Sequence, residues 1–211
     1  MAVLLVNNYI SKPEEKIRRY IEALEALTDA EIVIARFHDV RPGFDPGAPV
    51  EAVVLSGSEA CLSRPEDRPF FEGEMDFVRK ARVPVLGICF GHQLIAVAFG
   101  ADVVNMGRPV KESKEVVVEV PDHIFASWRP GDKLLVAEWH EDKVAWLPPG
   151  FVRLATSDYC EIEAMMHLRR PIFGVQFHPE RRPGTWEGPG ERWDGLEVIK
   201  NFLALAGLAR A

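Results

Sequence analysis

Ala-Val-Leu-Leu-Val at positions 2–6 is an unbroken apolar run, and a strand with no polar alternation has to be covered on both faces. Few architectures meet that demand. A helical pattern follows from Pro13. Ser11 is placed to cap it, Glu14 and Glu15 complement the helix dipole, and Ile17, Tyr20, Ile21, Leu24 and Leu27 recur at three- and four-residue spacing. Residues 31–37 and 52–55 read as further strands, 70–82 as a helix, 83–88 as a strand and 93–99 as a helix stopped by Gly100. Strands alternating with helices imply a mainly parallel sheet with right-handed crossovers.

After Gly100 the rhythm changes. Short β-rich pieces at 115–120, 133–139, 152–156, 162–166 and 172–177 read as partly antiparallel strands of an appended sheet or hairpin, before a last amphipathic helix at 196–205. The expected fold class is therefore α/β: a flavodoxin-like, doubly wound, mainly parallel sheet flanked by helices, with a small additional β-rich portion in the C-terminal half. No repeat, low-complexity tract or dividing linker interrupts the chain, so residues 1–211 are expected to form a single domain.

Composition excludes several function classes. A formal net charge of −7 argues against a nucleic-acid surface, and basic pairs such as Arg169-Arg170 are too short to reverse that. Three cysteines, Cys61, Cys89 and Cys160, with no Cys-x-x-Cys pair, suggest free thiols in a reducing compartment. The apolar run at 2–6 is too short for a signal core or a membrane span. The expected location is the cytoplasm, with no membrane partner.

Gly87-Ile88-Cys89-Phe90-Gly91-His92-Gln93 lies between the strand at 83–88 and the next helix. In an open α/β sheet, ligands bind at the carboxyl ends of strands, where this cysteine sits. Glycines on either side allow the close backbone approach of a sharp strand-to-helix turn, as in the Gly-x-Ser-x-Gly elbow. The following helix directs its dipole at the sulfur and favours the thiolate, and the Phe90 N–H is placed to face an oxyanion. Standing alone, the segment reads equally as a buried cysteine packed under a βα turn.

Downstream, Phe177-His178-Pro179-Glu180 follows another apolar run. Pro179 holds His178 extended, and residues two apart in an extended segment share a face, so His178 and Glu180 point the same way. The carboxylate would orient the imidazole, and the imidazole would take the thiol proton. With Cys89 this makes a candidate Cys-His-Glu triad, although His-Pro-Glu by itself also suits an ordinary exposed turn.

The segments 87–93 and 174–180 resemble the class I (triad) glutamine amidotransferases. Within them the chain is most similar to the glutaminase subunit of GMP synthase, of the free-standing archaeal type. Further matching stretches are 141–144, 147–151, 157–165 and Asn201-Phe202. The resemblance implies that Cys89 attacks the side-chain amide of L-glutamine to give a glutamyl thioester and ammonia. It implies that His178 protonates the ammonia and then activates water, while Glu180 holds His178. It implies oxyanion donors from Phe90 and the Gly57-Ser58 turn, a glutamine contact at Gln93, and a substrate-seating backbone at Trp139-His140-Glu141. It also implies that ammonia passes to a synthetase (ATP-pyrophosphatase) subunit, which this chain does not carry, within purine biosynthesis.

Three departures from the family pattern stand out. The turn after the third strand reads Gly57-Ser58-Glu59 where two glycines and a proline are usual, and Ser58 resists φ > 0. Asn7-Asn8-Tyr9-Ile10 lacks the usual Gly-Gly-Gln, and residues 106–114 differ from the expected acidic segment. Residues 181–194 carry Pro183, Gly184, Trp186, Gly188, Pro189, Gly190 and Trp193, and read as a lid, a docking surface or an anchored loop. No histidine pair has metal-ligand spacing and no Gly-x-x-x-x-Gly-Lys loop occurs, so neither metal nor cofactor is expected. Two alternatives to a glutaminase remain: a hydrolase of another γ-glutamyl amide, and a regulatory binding protein on the same fold.

Overall fold

The computed structural model describes residues 1–182 and 193–210. Strand β1 (Ala2–Asn7) is buried along its whole length. It pairs in parallel with β2 (Glu31–Arg36) on one side and β3 (Val50–Leu55) on the other. Side chains alternate across it: Val3 and Leu5 enter one core, Leu4 and Val6 the other. Helix α1 (Pro13–Glu25) covers the first face with Ile17, Tyr20 and Leu24. Helix α4 (Asp194–Leu205) joins it there through Val198, Ile199 and Phe202. The second face is covered by α2 (Glu72–Lys80), reached through a short 3-10 turn at Arg68–Phe71, and by α3 (Phe90–Ala98). Each fully buried Phe or Leu in these layers contributes about 1.5–3 kcal/mol.

The sheet continues in parallel through β4 (Val85–Ile88) to β9 (Ile172–Val175). This half has the order β2-β1-β3-β4-β9, the flavodoxin-like arrangement. Antiparallel strands β8 (Ala164–His167), β7 (Phe151–Thr156), β5 (Val103–Val118) and β6 (Lys133–Val144) extend the same sheet to nine strands among the described residues. The β-rich portion is thus not a separate sheet, because β8 hydrogen bonds directly to β9.

Two local expectations are corrected. Strand β5 is sixteen residues long and begins twelve residues before the expected start at 115, because Asn105, Arg108, Lys111 and Glu112 lie exposed and give its first half no apolar signal. A register shift between Asn105 and Val110, with Gly107 at φ 77°, further breaks the alternation. Ser11 does not cap α1. Lys12 occupies the cap in the left-handed region without a side-chain bond, and Ser11 Oγ donates instead to Glu59 Oε1 at 2.7 Å. Among the described residues no helix is long and apolar enough to cross a membrane.

Candidate active site

The carboxyl ends of β1, β3, β4 and β9 carry the site. Cys89 leaves β4 with φ 53° and ψ −103°, a conformation that costs a non-glycine residue on the order of 1–3 kcal/mol. Its backbone is held at both ends: Cys89 N–H donates to Val175 O at 2.8 Å, and Gln93 N–H donates to Cys89 O at 3.1 Å. The glycines are steric necessities. A Cβ on Gly87 would lie 2.4 Å from Gly91 O, and one on Gly91 would lie 2.6 Å from Leu55 O. The strained elbow therefore presents the thiol at the head of α3.

His178 reaches the same point from beyond β9. Its N–H donates to Ala137 O of β6 at 2.8 Å, which fixes it as an extended residue. The Nδ1 edge of the ring meets Glu180 Oε1 at 2.7 Å, and both side chains are buried. Burial works against a charged imidazole, but the Glu180 carboxylate and the Cys89 sulfur beside the ring outweigh it and hold His178 well above its ordinary pKa. Burial likewise pushes Glu180 up, yet the imidazole charge and the Arg181 guanidinium at 3.6 Å leave it below the usual carboxylate range. Cys89 Sγ and His178 Nε2 converge on one acceptor, the Trp139 carbonyl, at 3.6 and 3.4 Å.

A cavity of about 470 Å³ opens over this group. Cys89, His178, Ser58, Phe90, Gln93, Trp139, His140 and Glu141 all line it, whereas Glu180 lies behind His178 and Gly57 does not reach the wall. The Gly57 N–H is already spent on Tyr20 Oη at 2.9 Å, so within this turn the remaining donor is Ser58. Neither Gly57 nor Ser58 has a positive φ, and the serine fits without strain. Its hydroxyl donates to Asn8 O at 2.7 Å and accepts from Ala60 N–H at 3.1 Å. Gln93 Nε2 donates to Asp142 O at 2.9 Å and to Gln176 Oε1 at 3.2 Å. The His140 ring is turned inward, with Nδ1 2.9 Å from Asp142 O and Nε2 3.2 Å from Glu138 Oε2. Trp139 is 45 % exposed, its ring flanked by Lys111 and Arg181 at 4.7 and 4.9 Å from the centroid.

The model of the family "Glutamine amidotransferase class-I" matches residues 12–190. The chain belongs to that family. Among curated class I amidotransferase relatives, the glutamine-hydrolysing GMP synthase subunit of Methanosarcina mazei is 50 % identical over 133 residues, covering 63 % of this chain and 65 % of its own. That of Methanocaldococcus jannaschii is 38 % identical over 158 residues, covering 75 % of each. The chain spans 64 % of the length of the Methanosarcina barkeri relative and 65 % of the Methanosarcina mazei one, in each case less than two thirds. A solved structure of a candidate GMP synthase subunit from Thermoplasma acidophilum superposes with a TM-score of 0.77 at 25 % identity, covering 98 % of this chain and 94 % of its own. A Thermotoga maritima glutamine amidotransferase shares the fold, with a TM-score of 0.65 at 21 % identity over 98 % of this chain and 82 % of its own.

For a class I amidotransferase site, several neighbours escape sequence reasoning. Gln176 Nε2 lies 3.8 Å from Cys89 Sγ. Its position two residues before His178 gives it the same strand face, a signal that alternation could have supplied. Tyr9 and Tyr20 bring two hydroxyls to the Gly57 turn, and Asp142 accepts from Ser63 N–H, Ser63 Oγ and Asn105 Nδ2 at 2.8–3.0 Å. His92 is fully buried, and burial pushes its pKa down to about 3, so it carries no charge at neutral pH. A Cβ on Gly174 would lie 2.5 Å from His92 Nδ1. Pro183, Gly184, Trp186, Gly188, Pro189 and Gly190 fall outside the described residues. Trp193 is an anchor, donating Nε1–H to Pro179 O at 3.0 Å. Among the described residues no His, Cys, Asp and Glu cluster is arranged to hold a metal.

Proposed function

We propose that this protein is a cysteine-dependent glutaminase that hydrolyses the side-chain amide of L-glutamine to glutamate and ammonia. The observation that carries the reading is the meeting, at one cavity, of a thiol on a strained elbow with a histidine held by a buried carboxylate. Cys89 gives its thiol proton to His178 Nε2, Sγ attacks the amide carbon, a C–S bond forms, and the carbonyl electron pair moves onto oxygen. The Ser58 and Phe90 N–H groups receive that oxyanion. His178 gives its Nε2 proton to the amide nitrogen, the C–N bond breaks and ammonia leaves a glutamyl thioester. His178 then takes a proton from water, whose oxygen attacks the thioester carbon. The C–S bond breaks, the sulfur recovers its proton, and glutamate departs. Glu180 keeps the imidazole oriented and favours its charged form throughout.

The cavity lining gives Gln93, His140 and Glu141 access to the rest of the amino acid, with the Trp139 ring at its mouth. The glutamine-hydrolysing GMP synthase subunits among the relatives support a partner synthetase, of the ATP-pyrophosphatase type, as consumer of the ammonia. Free thiols at Cys61, Cys89 and Cys160 suit a reducing cytoplasm. A second reading, hydrolysis of a bulkier γ-glutamyl amide, is favoured by the charged extension of the cavity along Glu15, Lys16 and Arg19 of α1.

The test is glutamate and ammonia release by wild type and Cys89→Ala, with and without a GMP-forming synthetase subunit. Wild type should turn over glutamine, and the variant should fall by a factor of about 10⁴ or more. Turnover of a larger γ-glutamyl amide in preference to glutamine would select the second reading. No Cys89-dependent release from either, in the presence of the partner, would sink both.

A further inference from the structure

The turn after β3 has two amides, at Gly57 and Ser58, joined by a glycine whose torsions are intrinsically loose. On the reading given above, the Ser58 N–H has to aim at the oxyanion, and within the turn Ser56 Oγ holds the carbonyl of that same peptide by donating to Gly57 O at 2.9 Å. The surroundings hold the rest. Ser58 Oγ is tied to Asn8 O and Ala60 N–H, and Ser56 Oγ accepts from Asn8 N–H at 2.9 Å. The peptide preceding Gly57 is held at both ends from other segments: its carbonyl, Ser56 O, accepts from Asn8 Nδ2 at 3.1 Å, and its N–H donates to Tyr20 Oη at 2.9 Å. We propose that Tyr20 is a positioning residue, whose hydroxyl captures the Gly57 amide and so directs the neighbouring Ser58 amide into the cavity.

Tyr20 lies on the apolar face of α1 and is 1 % exposed, among residues whose packing requires no oxygen. Its hydroxyl is 3.5 Å from Tyr9 Oη, and Tyr9 lines the cavity. A Cβ built on Gly57 would meet both hydroxyls at 3.1 Å and His178 Cε1 at 3.2 Å. The Gly57 backbone is thus wedged between a pair of hydroxyls and the imidazole, and a rotation of its peptide moves the oxyanion donor against the base. Burial, with Glu180 and Tyr9 nearby, holds the Tyr20 hydroxyl protonated, so it serves as a neutral acceptor for the amide.

The proposal rests on the glutaminase reading, and the experiment separates the two. Wild type, Tyr20→Phe and Tyr9→Phe are compared in glutamine turnover and in affinity for glutamate γ-semialdehyde. Cys89 Sγ adds to that aldehyde's carbon, and the former carbonyl oxygen becomes the oxygen the turn must hold. Tyr20→Phe should lower kcat by about 10–100-fold and weaken the aldehyde by the same factor, while KM and product glutamate affinity change by less than about threefold. Tyr9→Phe, which keeps the Gly57–Tyr20 bond, should lose less than about fivefold in kcat. Turnover by Tyr20→Phe within about threefold of wild type overturns the positioning role, as does an equal loss of aldehyde and glutamate affinity. A wild type with no Cys89-dependent turnover removes the glutaminase reading and this role with it. Should Tyr20→Phe not fold, exchange of the Gly57 amide hydrogen in wild type decides: protection supports the bond, and exchange as fast as an exposed loop amide overturns it.

Discussion

Two buried histidine–carboxylate pairs sit on strand-like segments of this protein with the same two-residue spacing. His178 and Glu180 meet at 2.7 Å, and His140 and Glu138 meet at 3.2 Å. What separates them is the third group. His178 presents its other nitrogen to the Trp139 carbonyl beside Cys89 and the cavity. His140 presents its other nitrogen to Asp142 O, and Glu138 neighbours Glu163 and Tyr159. Burial, then the neighbouring Glu138, raises Glu163 well above the usual carboxylate range, so that it keeps a proton where Glu180 has lost one. One pair is a charged unit aimed at a thiol; the other is turned inward, its carboxylate set beside a second buried carboxyl group. Spacing makes a pair; the neighbouring strands decide its chemistry.

The largest effects should come from breaking the first pair. His178→Asn should lower kcat/KM by about 10³-fold or more, and Glu180→Gln by about 10²–10³-fold. Glu180→Gln should also move the alkaline limb of the kcat/KM profile to lower pH. Without the carboxylate, burial dominates and the imidazolium loses its proton sooner. An unchanged limb would detach Glu180 from His178.

Glu163→Gln should leave turnover within about threefold of wild type and alter stability instead. The sign follows from the raised carboxyl pKa: the folded state holds a proton that the unfolded chain releases above about pH 4.3. Wild-type stability therefore falls as pH rises from there. The glutamine variant lacks that loss and should gain about 3–6 °C in Tm at pH 8 and much less at pH 5. A gain equal at both pH values would deny the retained proton. The smallest effect is expected from Ser157→Ala, which removes the 2.6 Å hydrogen bond to Glu163 Oε1. It should lower Tm by about 1–4 °C, read by thermal unfolding, with turnover unaltered.

The legible parts of this protein are those whose signal is local. The apolar run of β1 demands two covering layers and receives them, and Gly87 and Gly91 announce a close approach that their missing Cβ atoms permit. The first half of β5 was illegible because an exposed strand of Asn105, Arg108 and Lys111 reads as loop. Tyr20 was legible as a core residue of α1 and not as a hydrogen-bond acceptor. Its hydroxyl acquires that role only when β3 places Gly57 against it. Glu138 and Glu163 lie 25 positions apart, and only the folding of the antiparallel strands makes them neighbours.

The Trp139 carbonyl belongs to β6, the outermost strand of the antiparallel half, yet it receives both Cys89 Sγ and His178 Nε2. Ala137, two residues earlier, accepts the His178 N–H. Thiol and imidazole are thus moored to the main chain of a strand that supplies neither. A shift of β6 along its own axis by a single peptide would cast off both at once. The geometry of the site is consequently a property of one strand's register as much as of the three side chains themselves.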